Sequence, residues 1–144
     1  MTGLEAMSAM LEGKAPTPPI GELLGLEMIE VTRGASVFGL QASRKHANPM
    51  GTLHGGVLCD LGDAAMGCAV ATTLAEGQSY TTLELKINYF KPVWTQRLVA
   101  RGRVVKRTRR LAYAEAEVLD EKESLVAKLS SSCLVLDGDA AKGR

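Results

Sequence analysis

The sequence predicts an α+β fold, in which an antiparallel sheet packs against a single long helix. One apolar stretch near the middle of the chain has helical periodicity, while two runs before it and four after it are predicted strands. Three of the later connections are too short for helical crossovers, so most strand pairs should be antiparallel. The 144 residues, 46% of them apolar, suit one domain with its own core.

The N-terminal residues 1–19 are predicted to form an arm ahead of the domain. Residues 4–12 could form one short helix, which the proline-rich run 15–19 ends, because proline lacks an amide donor and restricts its predecessor. Strands are predicted at Leu26–Thr32 and Ala35–Ala42, with a hairpin turn between them. We expect the domain itself to cover residues 20–137.

The segment from Val57 to Leu74 is the predicted long helix. Its apolar stripe at helical spacing is Val57, Leu61, Ala64, Cys68 and Ala71. Asp60 and Asp63 are its only charged residues, so the helix is apolar almost all round and should be buried.

The second half of the chain has the period of two that is typical of strands. Apolar and polar residues alternate along Thr82–Tyr89, and further strands are predicted at about 97–106, 111–119 and 125–136. Residues 138–144 are predicted to be a flexible tail. A sheet that covers one helix leaves its other face open, and we expect self-association to cover it.

Composition excludes several classes of function. A net charge of +1 argues against a generally basic nucleic-acid-binding protein, and no apolar run is long enough to span a membrane. The three cysteines form no CxxC pair and the N-terminus lacks a secretory signal, so a cytoplasmic location is expected. The two histidines have no third ligand of matching pattern, so neither a metal nor a cofactor is expected.

Residues that could take part in catalysis are concentrated between positions 46 and 63. Gly55 and Gly56 lie where the long helix begins, where unpaired N–H groups and the helix dipole favour an oxyanion. Asp63 projects from the side opposite the apolar stripe and is a candidate base or nucleophile. Asp60 competes for that role, although a first-turn acid that stabilises the helix dipole is its simpler interpretation.

The spacing N-P-M-G-T-L-H-G-G-x6-D, from Asn48 to Asp63, resembles the hotdog-fold acyl-CoA thioesterases, specifically their phenylacetate-degradation-type (PaaI-like) branch. The resemblance covers roughly residues 20–136 and includes the strand up to Pro92. It implies a hotdog fold, an antiparallel sheet of about six strands wrapped around one long central helix. Asp at position 63, together with Gly67 where the 4-hydroxybenzoyl-CoA branch has threonine, favours the phenylacetate type.

The same resemblance implies roles for individual residues. Asp63 would attack the thioester carbonyl or activate a water, and the Gly55 N–H would polarise the thioester oxygen. Asn48 would hold the nucleophile or water, His54 would orient its neighbours, and Thr82 would place the hydrolytic water. Thr81 is the alternative to Thr82 if the alignment slips by one residue. Sites in this family form between two subunits, which implies a homodimer or homotetramer whose monomer is inactive.

Other residues in the cluster have simpler interpretations. His54 could be a structural histidine that hydrogen-bonds within its loop, and His46 is expected to be a polar loop residue. Without the resemblance, Asn48 would be a turn residue ahead of Pro49. Cys59 and Cys68 are expected to be small apolar fillers of the helix.

Seven of the seventeen basic residues fall between Arg97 and Arg110. We expect Arg107, Arg109 and Arg110 to contact the phosphates of coenzyme A, with a solvated turn as the alternative.

The sequence therefore predicts an acyl-CoA thioesterase that hydrolyses an aryl- or medium-chain acyl-CoA to the free acid and CoA. The alternative is a non-catalytic hotdog module that binds acyl-CoA as a sensor or carrier. An enoyl-CoA hydratase is disfavoured, because its paired Asp and His motif is not found. No nucleic acid and no membrane is expected as a partner.

Overall fold

The computed structural model describes residues 1–144 and confirms the predicted α+β class. The helices are α1 (Gly3–Leu11), α2 (Pro19–Leu24) and α3 (Gly55–Ala71). The strands are β1 (Leu26–Thr32), β2 (Ala35–Gln41), β3 (Ser79–Tyr89), β4 (Arg97–Arg107), β5 (Leu111–Leu119) and β6 (Leu125–Leu136). They form one six-stranded sheet in the order β1-β2-β4-β5-β6-β3, in which every pair is antiparallel.

The sheet packs against α3, which is the arrangement expected of a hotdog fold. The side of α3 that faces the sheet carries Leu58, Leu61, Ala65, Met66 and Ala69, all of them buried. The predicted apolar stripe is therefore only partly right, because Val57, Ala64 and Cys68 are half-buried at its margin. A helix that is apolar almost all round gives no strong indication of which side meets the sheet.

Strands β2 and β4 both contact α3 at the Ala65 carbonyl. Ser36 and Gly102 are opposite each other in the β2–β4 register, and the buried Ser36 hydroxyl donates a hydrogen bond of 2.6 Å to Ala65 O. A Cβ at Gly102 would overlap the Ala65 carbonyl. These two contacts fix how deeply α3 sits in the sheet, and Asp63 lies only two residues before Ala65.

The N-terminal arm packs onto the domain. Helix α1 begins with a capping box between Thr2 and Glu5, and the Gly3 N–H donates to Leu74 O at 3.0 Å, just beyond the end of α3. The Met7 side chain packs against a small apolar cluster that contains Ala71, Leu74 and Val135. The arm is thereby part of the surface around α3.

The boundaries of α3 and of β3 differ most from those predicted, whereas those of α1 and β2 differ by one residue. Helix α3 begins two residues earlier and ends three residues earlier than expected, and β3 begins at Ser79. Helix α2 was not predicted, although Pro19 at its first position and Gly25 in the left-handed region at its end are typical helix signals. In the segment predicted to be a flexible tail, residues 138–141 form a 3-10 turn.

None of the helices combines the length and the apolar character that crossing a membrane requires.

Candidate active site

The loop that leads into α3 is held together by Asn48 and His46. The Asn48 amide donates to Thr52 Oγ1 at 2.7 Å, and its Oδ1 accepts from the Met50 and Thr52 N–H groups at 2.9 and 3.2 Å. The hydrogen bonds of the Asn48 side chain are therefore all made within its own turn. One of its two N–H hydrogens remains available for a ligand.

His46 differs from the polar loop residue that was expected. Its side chain is buried (6% exposed), and Nδ1 accepts from the Ser43 N–H at 3.1 Å. Nε2 consequently carries the proton and donates to Leu24 O, at 2.9 Å, at the end of α2. The His46 carbonyl accepts from the His54 N–H at 2.9 Å, so His46 links α2 to the start of α3.

The N-terminus of α3 leaves one backbone donor free. His54 is the N-cap residue, and its Nδ1 accepts from the Gly56 N–H at 2.9 Å. The Gly55 N–H, at the first position of the helix, has no acceptor within the chain. The Tyr89 hydroxyl donates to Gly55 O at 3.0 Å, and a Cβ at position 55 would lie 2.8 Å from that hydroxyl oxygen. An unpaired N–H at the positive end of a helix is a suitable donor for an oxyanion.

Asp63 faces a separate cleft of about 710 Å³ that lies between α3, the arm and the β1 edge of the sheet. Burial raises the pKa of the Asp63 carboxyl, and the charge of Asp60 raises it further. Asp60, one turn earlier on the same side, also has a pKa raised by burial. Both side chains reach the solvent of the cleft, and neither forms an ion pair. An unpaired carboxylate in an apolar cleft can act as a base or nucleophile.

Tyr80 is a cleft residue that sequence reasoning missed. Its phenolic oxygen lies over Gly67, one turn beyond Asp63, and a Cβ at Gly67 would overlap that oxygen. Burial raises the pKa of Tyr80, and the nearby Cys68 and Asp63 charges add to the shift. The available signal was its position on β3, two residues before Thr82 and hence on the same face.

Thr82 and Thr81 lie on opposite faces of β3. Thr82 Oγ1 is 3.8 Å from the sulfur of Cys133, which is buried in the core between sheet and helix. Thr82 therefore lies on the helix-facing side, and strand alternation places Thr81 on the outer side.

Cys68 also lines the Asp63 cleft, where burial raises the pKa of its thiol to about 12. A thiol with that pKa stays protonated at neutral pH, so Cys68 is not a nucleophile there.

A single chain does not bring Gly55 and Asp63 together. They are eight residues apart on one helix, which corresponds to about 12 Å along its axis. Gly55 lines an open depression with Tyr89 and Phe90, and this depression shares no residue with the Asp63 cleft.

The predicted phosphate-binding arginines lie at the far end of α3, in and beside the β4–β5 turn. Arg107 is held there by Thr73 Oγ1, to which its Nε donates at 3.1 Å, and by Gln78. Arg109 and Arg110 are exposed and form no ion pair within the chain. No group of three or more His, Cys, Asp or Glu side chains is placed to hold a metal ion.

Fold and sequence together define a thioester hydrolase. The chain belongs to the thioesterase superfamily, which matches residues 50–127. Its solved relatives place it among the PaaI-like hotdog thioesterases, as the motif from Asn48 to Asp63 predicted.

Two solved structures illustrate the relationship. A phenylacetic acid degradation-related protein from Ralstonia eutropha is 29% identical, with a TM-score of 0.82 over 88% of this chain and 97% of that one. A mutant of phenylacetic acid degradation protein PaaI from Thermus thermophilus is 31% identical, with a TM-score of 0.75 over 81% of this chain and 98% of that one. Among curated proteins, the 1,4-dihydroxy-2-naphthoyl-CoA hydrolase of Listeria monocytogenes is 26% identical over 73% of this chain and 85% of its own length.

Proposed function

We propose that the protein hydrolyses aryl- or medium-chain acyl-CoA thioesters to the free acid and CoA. The observation that supports this most directly is the combination, on one helix, of a free Gly55 N–H and an unpaired Asp63 carboxylate in an apolar cleft. Hydrolysis of a thioester needs both a donor for the oxyanion and a base or nucleophile for the attack.

In the general-base form of the reaction, Asp63 takes a proton from a water molecule whose oxygen attacks the thioester carbon. The carbonyl oxygen becomes an oxyanion that accepts a hydrogen bond from the Gly55 N–H. The carbon–sulfur bond then breaks, and the CoA sulfur leaves with the electron pair. The sulfur is protonated by Asp63, which gives up the proton that it took from the water. In the nucleophilic form, the Asp63 carboxylate attacks the thioester carbon, the carbon–sulfur bond breaks and the CoA thiolate leaves, so that a mixed anhydride forms. Water hydrolyses this anhydride to the free acid and a protonated Asp63, whose proton passes to the CoA thiolate.

The separation of Gly55 and Asp63 leads us to place each active site between two copies of the chain. One copy would supply Asp63 and Thr82, and the other Gly55 with His54 and Asn48. His54 would act by capping Gly56, which keeps the neighbouring Gly55 N–H directed outward. Strand β3 lies at an edge of the sheet with Leu83 60% exposed, so the chain offers an unpaired surface for self-association as a homodimer or homotetramer.

The exposed Arg109 and Arg110 remain our candidates for contacts with the CoA phosphates, whereas Arg107 is occupied by Thr73 and Gln78. Replacing Arg109 and Arg110 together by alanine should raise KM for CoA esters and leave kcat unchanged, because phosphate contacts are the same in ground and transition states. An unchanged KM at low salt would exclude these contacts.

Asp63→Asn is the variant that tests the proposed reaction. Turnover of phenylacetyl-CoA and of straight-chain acyl-CoA esters, followed by release of the CoA thiol, should fall at least about a hundredfold. Asp60→Asn is the matched control on the same side of α3 and should keep most of the activity. Full activity of Asp63→Asn would exclude its catalytic role. Binding of acyl-CoA without thiol release by the unmodified protein would instead favour a non-catalytic sensor or carrier.

A further inference from the structure

The cleft that contains Asp63 is closed on one side by the N-terminal part of the chain. Met7, Met10 and Leu11 of α1 line this side, together with Ile20 at the start of α2. Met7 also packs against the small apolar cluster of Ala71, Leu74 and Val135, which holds α1 against the end of α3, and Met10 and Leu11 of the last turn of α1 line the cleft. We propose that these residues form a wall of the acyl-binding subsite and set the size of the acyl group. This inference rests on the proposed thioesterase function.

The wall is fixed at both ends. At its beginning, the Gly3 N–H donates to Leu74 O at 3.0 Å, and a Cβ at Gly3 would overlap the Ala71 carbonyl. At its other end, the buried His46 holds Leu24 O at 2.9 Å. A wall that is anchored to the end of α3 and to the loop before α3 keeps a defined distance from Asp63. It can therefore discriminate by size.

The remaining sides of the cleft indicate the chemistry of the group that fits. Met28 and Phe38 add apolar surface from β1 and β2. The charged groups at its surface are all acidic, namely Glu27, Asp60 and Asp63, and Glu27 is paired with Arg97 at 2.8 Å. An acyl group with its own carboxylate would be repelled by the unpaired negative charges of Asp60 and Asp63. The subsite thus suits a neutral, apolar acyl group, and its volume of about 710 Å³ lies in the usual range of small-molecule sites.

Ile20→Trp and Leu23→Trp form a matched pair for testing the wall. Both residues are exposed on α2, at 53% and 74%, but only Ile20 lines the cleft. Tryptophan at position 20 should lower the ratio of kcat/KM for decanoyl-CoA to that for acetyl-CoA at least about tenfold, because the longer chain loses its space. Leu23→Trp should leave this ratio unchanged. Met10→Ala, which removes bulk, should shift preference toward tetradecanoyl-CoA and provides the test if Ile20→Trp melts early.

A parallel binding measurement separates this inference from the proposed function. Affinity for a non-hydrolysable decanoyl-CoA thioether, measured by calorimetry, should fall in Ile20→Trp by a similar factor, while that for the acetyl thioether should not. If the unmodified protein releases no thiol but this difference in binding is found, the proposal of a size-selective wall is supported and the proposal of hydrolysis is refuted. If Ile20→Trp affected short and long acyl groups equally, or if Leu23→Trp had the same effect as Ile20→Trp, the proposal of a size-selective wall would be refuted. Thiol release by the unmodified protein would still support hydrolysis.

Discussion

Asp63, which we propose as the base or nucleophile, also has a predicted cost to stability. Its pKa is raised by burial and by Asp60, so the folded chain holds the Asp63 proton more tightly than the unfolded chain does. The free energy of unfolding should therefore fall as pH rises from the ordinary Asp value of about 4 through the raised one, so the ionised carboxylate should be less favourable for the fold at pH 7 than a neutral side chain.

Asp63→Asn should accordingly raise the melting temperature at pH 7 while it lowers turnover. Asparagine carries no charge to desolvate, so the gain should shrink as pH is lowered and vanish below about 4, where Asp63 is protonated in both the folded and the unfolded chain. Thermal unfolding monitored by circular dichroism across this range measures the effect, and Asp60→Asn should show the same sign, since burial raises its pKa too. A gain that did not vary with pH would indicate altered packing instead of a charge effect.

At the level of single residues, the sequence predicted those features of the candidate site that depend only on spacing along the chain. The positions of Gly55 and Asp63 on one helix follow from their separation, and His54 lies at the helix start as expected. Tyr80 and the buried His46 were missed because their surroundings come from distant segments. No local pattern shows that position 80 lies over Gly67 or that His46 reaches Leu24.

The position of α3 in the sheet depends on a pair of small residues. Gly102→Ala would place a Cβ against the Ala65 carbonyl, and backbone cannot move aside without shifting the helix. Overpacking of this kind costs about 1–3 kcal/mol. Because Asp63 lies two residues before Ala65, turnover should fall along with the melting temperature.

Ser36→Ala is the comparison for this prediction. It removes the hydroxyl that donates to Ala65 O but creates no overlap, so it should cost about 1 kcal/mol and leave the helix in place. Chemical denaturation gives both stabilities, and thiol release gives both activities. If Gly102→Ala were as active and as stable as Ser36→Ala, close packing at Ala65 would not control the site.

The strands and the central helix were predictable because their periodicities differ and their connections are short. The side of α3 that meets the sheet was not, since small and apolar residues occupy almost its whole circumference. Helix α2 is six residues long and begins within a proline-rich run, so its start signal was taken as a break.

At the scale of the whole molecule, the two candidate halves of the site lie in clefts that share no residue. If each active site combines Asp63 of one copy with Gly55 of another, two different inactive variants should complement each other. Asp63→Asn is the first variant. The second needs to remove the Gly55 N–H without unfolding α3.

Gly55→Pro in a Tyr89→Phe background meets that requirement. Proline is favoured at the first position of a helix, and His54 has φ −62° and ψ 130°, which a residue before proline readily adopts. Tyr89→Phe removes the hydroxyl that a side chain at position 55 would meet at 2.8 Å. Loss of this oxyanion donor should lower turnover about a hundredfold or more relative to Tyr89→Phe alone.

A heterodimer of the two variants, purified through two different affinity tags, should regain about half of the activity of the unmodified dimer. One of its two sites would combine the intact Asp63 of one copy with the intact Gly55 of the other, and the second site would lack both. A heterodimer of Asp63→Asn with Asp63→Asn/Gly55→Pro/Tyr89→Phe has no intact site and should stay inactive. If the first heterodimer were no more active than its parents, Asp63 and Gly55 would have to act within one chain, and their separation of about 12 Å along α3 would require a different oxyanion donor.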